Sequence, residues 1–130
     1  MKNSILYVFI LMIVGCSSNK EMQKKPILYY GKTACLGKCP VFDLYIFDEG
    51  KALYNGIRNV DKKGKHYFVV SKIMLDKIQR EIIKLNTENS GKSTRDLPNT
   101  ILKFFEKKLI VQDSKKIAVL DELVRQIIHN

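Results

Sequence analysis

The stretch CLGKCPVFDLYIFDEGKALYNG, residues 35–56, decides the fold. It opens on two cysteines separated by Leu36, Gly37 and Lys38, with Pro40 directly after the second. Gly37 frees the backbone for positive φ, and Pro40 fixes φ and removes a donor, so a tight turn is expected here instead of a helix. Beyond Pro40 the residues alternate. Phe42, Leu44 and Ile46 fall on one face of a strand, and Val41, Asp43, Tyr45 and Phe47 on the other. A carboxylate among apolar neighbours marks that second face as only partly covered. Asp48-Glu49-Gly50-Lys51 reads as a hairpin loop with Gly50 in the left-handed position. The return strand is expected over residues 52–57, with Gly56 a candidate bulge.

The cysteine pair admits three readings. A tight turn can bring two Cα atoms to the roughly 5.5 Å that a disulfide prefers. Closing so small a loop contributes about 2 kcal/mol in the chain-entropy model, which makes Cys35–Cys39 a structural staple. A redox pair or a soft-metal site is the alternative, with Cys35, Cys39 and His66 as its donor set. Cys-x-x-x-Cys-Pro is also similar to the motif of Sco-type copper chaperones, and two thiolates suit Cu(I). Free thiols are the third reading. A thioredoxin-like pair has two spacers and opens a helix, whereas this one has three and feeds a strand.

CLGKCPVF followed by DEGKALYNG resembles the pattern Cys-Phe-Gly-x-Cys-Pro-x-Tyr, then Asp-Gly-x-x-x-Tyr-x-Gly. That pattern belongs to the family of domain of unknown function 6438, common in Bacteroidetes envelope lipoproteins. Thr94-Arg95-Asp96-Leu97-Pro98 is similar to the family's Thr-Asp-Leu-Pro segment. The resemblance covers about residues 27–128. Leu36 stands where the family has Phe, and Phe42 where it has Tyr. The resemblance implies a fold and a location and no chemistry.

Residues 1–15 read as a lipoprotein signal peptide. Lys2 is a short basic region, and residues 5–14 are an apolar run too short to span a bilayer as a helix. Ile13-Val14-Gly15-Cys16 looks like a bacterial lipobox, which implies cleavage before Cys16 and acylation of that residue. Several acyl chains, at about 0.8 kcal/mol per buried methylene, make a stable anchor. Residues 16–26 are then the lipidated cysteine and a polar tether with a reach of about 17–19 Å. Ser17 after the lipidated cysteine points to the outer membrane, and the lack of an acidic run points to its periplasmic face.

Residues 27–130 are one domain. Strands are expected over residues 27–30, 41–47, 52–57, 66–70, 100–105 and 108–112, with the last tight turn at Glu106-Lys107. Helices are expected over 72–85, capped by Ser71, and 115–128, capped by Asp113 or Ser114. Leu75, Ile78, Ile82 and Leu85, widened by Met74 and Ile83, form the first apolar stripe. Ile117, Leu120, Leu123, Val124, Ile127 and Ile128 form the second. Residues 86–99 are the longest connector, either a mobile linker or a contact loop. The expected class is α+β: an antiparallel sheet of about five or six strands with two helices packed on one face.

Lys and Arg number 23 against 13 acids; removal of residues 1–15 takes away Lys2 and no acid, so the mature net charge is 22 − 13 = +9. Lys62, Lys63 and Lys65 are the basic group singled out for contact with an anionic envelope surface. No groove-reading motif supports nucleic acid as a partner. No phosphate-binding glycine loop, nucleophile elbow or two-histidine zinc helix is present, and no cofactor is implied. Asp43 and Asp48 lack the pairing a glycosidase needs. The reading is therefore a lipid-anchored, non-enzymatic binding or structural domain whose partners are the membrane and an anionic surface or a protein. The alternatives are a thiol redox or Cu(I) protein and an inhibitor of an envelope hydrolase.

Overall fold

A computed structural model describes residues 24–88 and 90–130. The stretch expected to be a signal peptide with its lipobox, and Cys16, lie outside the described residues. Six strands form one antiparallel sheet: β1 Leu28–Lys32, β2 Val41–Ile46, β3 Lys51–Arg58, β4 Gly64–Val69, β5 Thr100–Phe104 and β6 Lys107–Val111. Their spatial order is β4-β3-β2-β1-β5-β6. The chain runs as a meander from β1 out to β4. It returns through helix α1, Lys72–Lys84, to lay the β5–β6 hairpin on the other side of β1. A 3-10 turn, Ser114–Ile117, leads into helix α2, Ala118–His129.

Period-2 alternation puts one face of the sheet inside. Leu28, Tyr30, Phe42, Leu44, Ile46, Ala52, Tyr54, Leu102, Phe104, Leu109 and Val111 are buried against Leu75, Ile78 and Ile82 of α1 and the whole expected stripe of α2. Both helices cover that face, and the opposite face carries none. Ile83 is the exception to the α1 stripe: it is 69% exposed, because the stripe narrows to the side turned toward α2 and the sheet. Ser71 caps α1, accepting from the Met74 amide at 3.3 Å. Asp113 caps the turn before α2, accepting from the Lys115 amide at 3.0 Å.

The hairpins show where local chemistry decides. Gly50 takes φ +76° in the β2–β3 turn, as its place in the loop requires. Val41 pairs with Arg58 and Phe42 with Gly56, so Ile57 is the extra residue of a bulge beside Gly56. The β5–β6 turn falls one residue earlier than expected, at Phe105-Glu106. Both residues have positive φ, 47° and 62°, the geometry of a two-residue turn that normally takes Asn-Gly. Lys107 is freed to open β6. The connector 90–99 is bonded along the sheet. The Gly91 amide donates to the Ile110 carbonyl at 2.9 Å, and the Ile110 amide to Ser90 Oγ at 3.0 Å.

No helix among the described residues is long and apolar enough to cross a membrane.

Candidate functional site on the open face of the sheet

The helix-free face presents one row of residues across all six strands: Lys108, Lys103, Tyr29, Tyr45, Leu53 and Tyr67, each paired with the next. Over the β1, β2, β5 and β6 part of that row lies a shallow groove of about 440 Å³, with Lys25, Pro26, Asp43, Phe105, Glu106 and Lys107 along its margins. The Tyr29 and Tyr45 rings sit 5.1 Å apart at 50°. The Tyr29 hydroxyl donates to Asp43 Oδ1 at 2.6 Å, and Lys103 Nζ stands 5.0 Å from the Tyr29 ring centre. Lys25 Nζ donates to Glu106 Oε1 at 3.0 Å, tying the chain entering β1 to the β5–β6 turn. That ammonium holds the Glu106 carboxyl below its ordinary value.

Two features of the groove run against local stability. Lys103 and Lys108 stand directly opposite each other, and like charges so placed destabilise a sheet. Phe105 holds a left-handed conformation that a bulky residue avoids, and it stands 60% exposed. Such departures from local preference cluster at functional sites. The rings can stack on a flat ligand and the ammoniums can neutralise its acid groups, while the Asp43 carboxylate is taken up by the Tyr29 hydroxyl.

A second polar cluster lies between the sheet and α2. Lys32 Nζ donates to Thr100 Oγ1 at 2.7 Å and lies 3.3 Å from Asp121 Oδ2, and the Tyr30 hydroxyl donates to Asp121 Oδ1. Asp121 stands in the first turn of α2, where the helix dipole favours a carboxylate. Burial pulls the Lys32 ammonium below its ordinary value, and Asp121 only partly restores it. The cluster is a tie between β1 and α2.

Cys35 and Cys39 form a disulfide with their Cα atoms 5.8 Å apart. The loop does not turn at a positive-φ glycine: Gly37 keeps negative φ, and its amide donates to Cys35 Sγ at 3.2 Å. A Cβ at Gly37 would meet only that sulfur, at 3.8 Å, so the glycine is not what shapes the loop. Both sulfurs are used in the bond. His66 lies on β4, with Nε2 2.8 Å from the Lys63 carbonyl and its ring 6.1 Å from Tyr54. Among the described residues no group of three or more His, Cys, Asp or Glu is placed to hold a metal. The segment 94–99 lies beside the residues that lead into the Cys loop. The Asn99 amide donates to Thr33 Oγ1 at 3.1 Å and the Thr33 amide to the Asn99 carbonyl at 3.0 Å. The two stretches that carry the sequence resemblance therefore meet at one end of the sheet.

The basic group 62–65 is divided. Lys62 Nζ donates to the Ile128 carbonyl at 2.6 Å, near the end of α2, and stands 4.9 Å from the Phe68 ring centre. It is a helix-end tie. Lys63 is exposed, and Lys65 lies on the open face at the sheet edge. The groove's own lysines, Lys103 and Lys108, are outward residues beside the buried Leu102, Phe104 and Leu109. That alternation is visible in the sequence, but their approach to Tyr29 depends on β1 pairing with β5, which the sequence order alone does not give.

Burial, reinforced for Tyr29 by Asp43 and for Tyr30 by Asp121, raises the phenols of Tyr29, Tyr30, Tyr45 and Tyr54 above their ordinary value of 10.0. A phenol raised in the folded state contributes stability below the unfolded value and loses it as pH climbs through the raised one. Lys32 has the opposite sign: its lowered value adds stability with rising pH, and that gain is complete by its ordinary 10.5. Unfolding free energy is expected to fall above about pH 10–11. Phenolate absorbance should develop late in the native protein and at the ordinary pH in denaturant. Coincident native and denatured titrations would contradict this packing.

No curated protein matches the chain. A family model described as domain of unknown function (DUF6438) matches residues 26–129, from the entry into β1 to the end of α2. The chain belongs to that family of domain of unknown function (DUF6438).

Proposed function

We propose that the protein is a lipid-anchored, non-enzymatic binding domain of the cell envelope. It is held through Cys16 at the periplasmic face of the outer membrane, and it binds acidic saccharides on the open sheet face. The observation that carries the reading is the opposed Lys103–Lys108 pair beside the Tyr29–Tyr45 ring pair. An acidic sugar removes the cost of the first and stacks its C–H face on the second. The lipobox reading of residues 13–16 and the mature charge of +9 support the location and the sign of the ligand. The Cys35–Cys39 bond serves as a staple in this account.

The test exploits the strained turn. Phe105→Asn, with Glu106 kept, puts a residue that tolerates left-handed backbone into the turn and removes an aromatic from the groove. The variant is expected to be more stable by up to about 1 kcal/mol, from relief of one bulky left-handed residue. It should also bind acidic muropeptides and lipopolysaccharide core oligosaccharides several-fold more weakly than the parent in calorimetric titration. A stabilised variant with undiminished binding would remove the groove from the account.

A further inference from the structure

The two edges of the sheet are treated differently. At β6 the outward groups of Ile110 are taken up by Ser90 and Gly91. At β4 the outer edge is open. The Val70 amide donates inward to the Gly50 carbonyl at 2.7 Å, and antiparallel alternation then turns the main-chain groups of Lys65, Tyr67 and Val69 outward. Among the described residues nothing pairs with them. Tyr67 is 76% and Val69 89% exposed. Open edges of this kind template pairing with another strand.

We propose that β4 pairs antiparallel with β4 of a second copy about a two-fold axis through Tyr67, joining two sheets into one. This register is self-complementary. It sets Tyr67 against Tyr67, Lys65 against Val69, and His66 against Phe68, each pair on a shared face. The three outward residues exchange N–H and C=O groups with their counterparts. The one edge charge, Lys65, meets the apolar Val69 instead of its own copy. The two Lys65 residues stand four positions apart along the joint, roughly 14 Å at 3.4 Å per residue, beyond the screening length of about 8 Å at physiological salt. An axis perpendicular to the sheet leaves both open faces on the same side, so the row through Tyr29, Tyr45, Leu53 and Tyr67 continues into its copy. The pairing does not depend on what the groove binds.

Register-specific crosslinking of the full-length chain, purified in detergent, tests this. Three outward positions are replaced singly: Tyr67→Cys, Lys65→Cys and Val69→Cys. Under mild oxidation Tyr67→Cys alone should give a covalent dimer. Lys65→Cys and Val69→Cys should crosslink when mixed and stay near the parent's background when alone. Val69→Lys should reduce the sedimenting species from dimer to monomer with an unchanged circular dichroism spectrum, whereas Ile83→Lys, on an exposed part of α1, should leave the dimer. A monomer at every concentration, or crosslinking without dependence on position, overturns the proposal. Capture of only a different protein by Tyr67→Cys overturns it too, in favour of a foreign strand on the same edge.

Discussion

Asp121→Ala is expected to destabilise the fold by about 3 kcal/mol, the scale for removing one partner of a largely buried ion pair. The carboxylate accepts from the Tyr30 hydroxyl and lies 3.3 Å from Lys32 Nζ, and the two charged side chains are only 17% and 21% exposed. Alanine leaves the Lys32 ammonium with Thr100 Oγ1 as its one partner at 2.7 Å, in a site where burial already disfavours its charge. The cost is shared between the orphaned lysine and the buried Tyr30 hydroxyl, which loses its carboxylate acceptor, and a double variant separates the two. Lys32→Met with Asp121→Leu should recover the lysine's part of the loss, because replacing both members of the ion pair by apolar groups of similar size is near neutral, while the part owed to the Tyr30 hydroxyl should remain. Chemical denaturation of the single and double variants checks both statements. Equal losses in the two would place the cost in the helix start instead.

Gly56→Ala is expected to cost about 3 kcal/mol or more, in the range reserved for core overpacking that the backbone must absorb. A Cβ there would stand 1.9 Å from the Lys62 carbonyl oxygen and 3.0 Å from the Tyr54 ring. The first is main chain and cannot swing aside. The turn between β3 and β4 must lift, and Lys62 is the residue whose ammonium meets the Ile128 carbonyl and the Phe68 ring. One methyl group thus loosens the edge of the sheet and the end of α2 together. Gly37→Ala, at a position where a Cβ meets only Cys35 Sγ at 3.8 Å, is the matched control and should change stability by less than about 0.5 kcal/mol.

Much of this fold was legible in the sequence, because the signals were periodic. Alternation at Phe42, Leu44 and Ile46 named the buried face of β2, and the α2 stripe from Ile117 to Ile128 is buried throughout. Ser71 caps α1 where its side-chain oxygen predicts, whereas Asp113 caps the 3-10 turn and α2 itself starts at Ala118, behind Ile117, with no side-chain cap. The β5–β6 turn was displaced by one residue because Phe105-Glu106 carries no turn chemistry, and strand pairing forces it into left-handed backbone. Ile83 lay on the edge of a stripe whose width is set by the packing partners, not by spacing. The candidate site was the least legible part. Asp43 marked a partly open face, yet Tyr29, Lys103 and Lys108 become neighbours only when β5 returns beside β1. Asp121 and Lys32, 89 residues apart, met for the same reason. Long-range pairing leaves no local trace.

The most direct measurement is a backbone-amide chemical-shift titration of the protein with an acidic muropeptide, alongside its neutral counterpart. Saturable shifts are expected for the acidic ligand, confined to β1, β2 and the β5–β6 hairpin around Tyr29, Tyr45, Lys103 and Phe105, and abolished by Lys103→Glu. Shifts centred on the Cys35–Cys39 loop, or equal responses to the neutral ligand, would contradict binding in the groove.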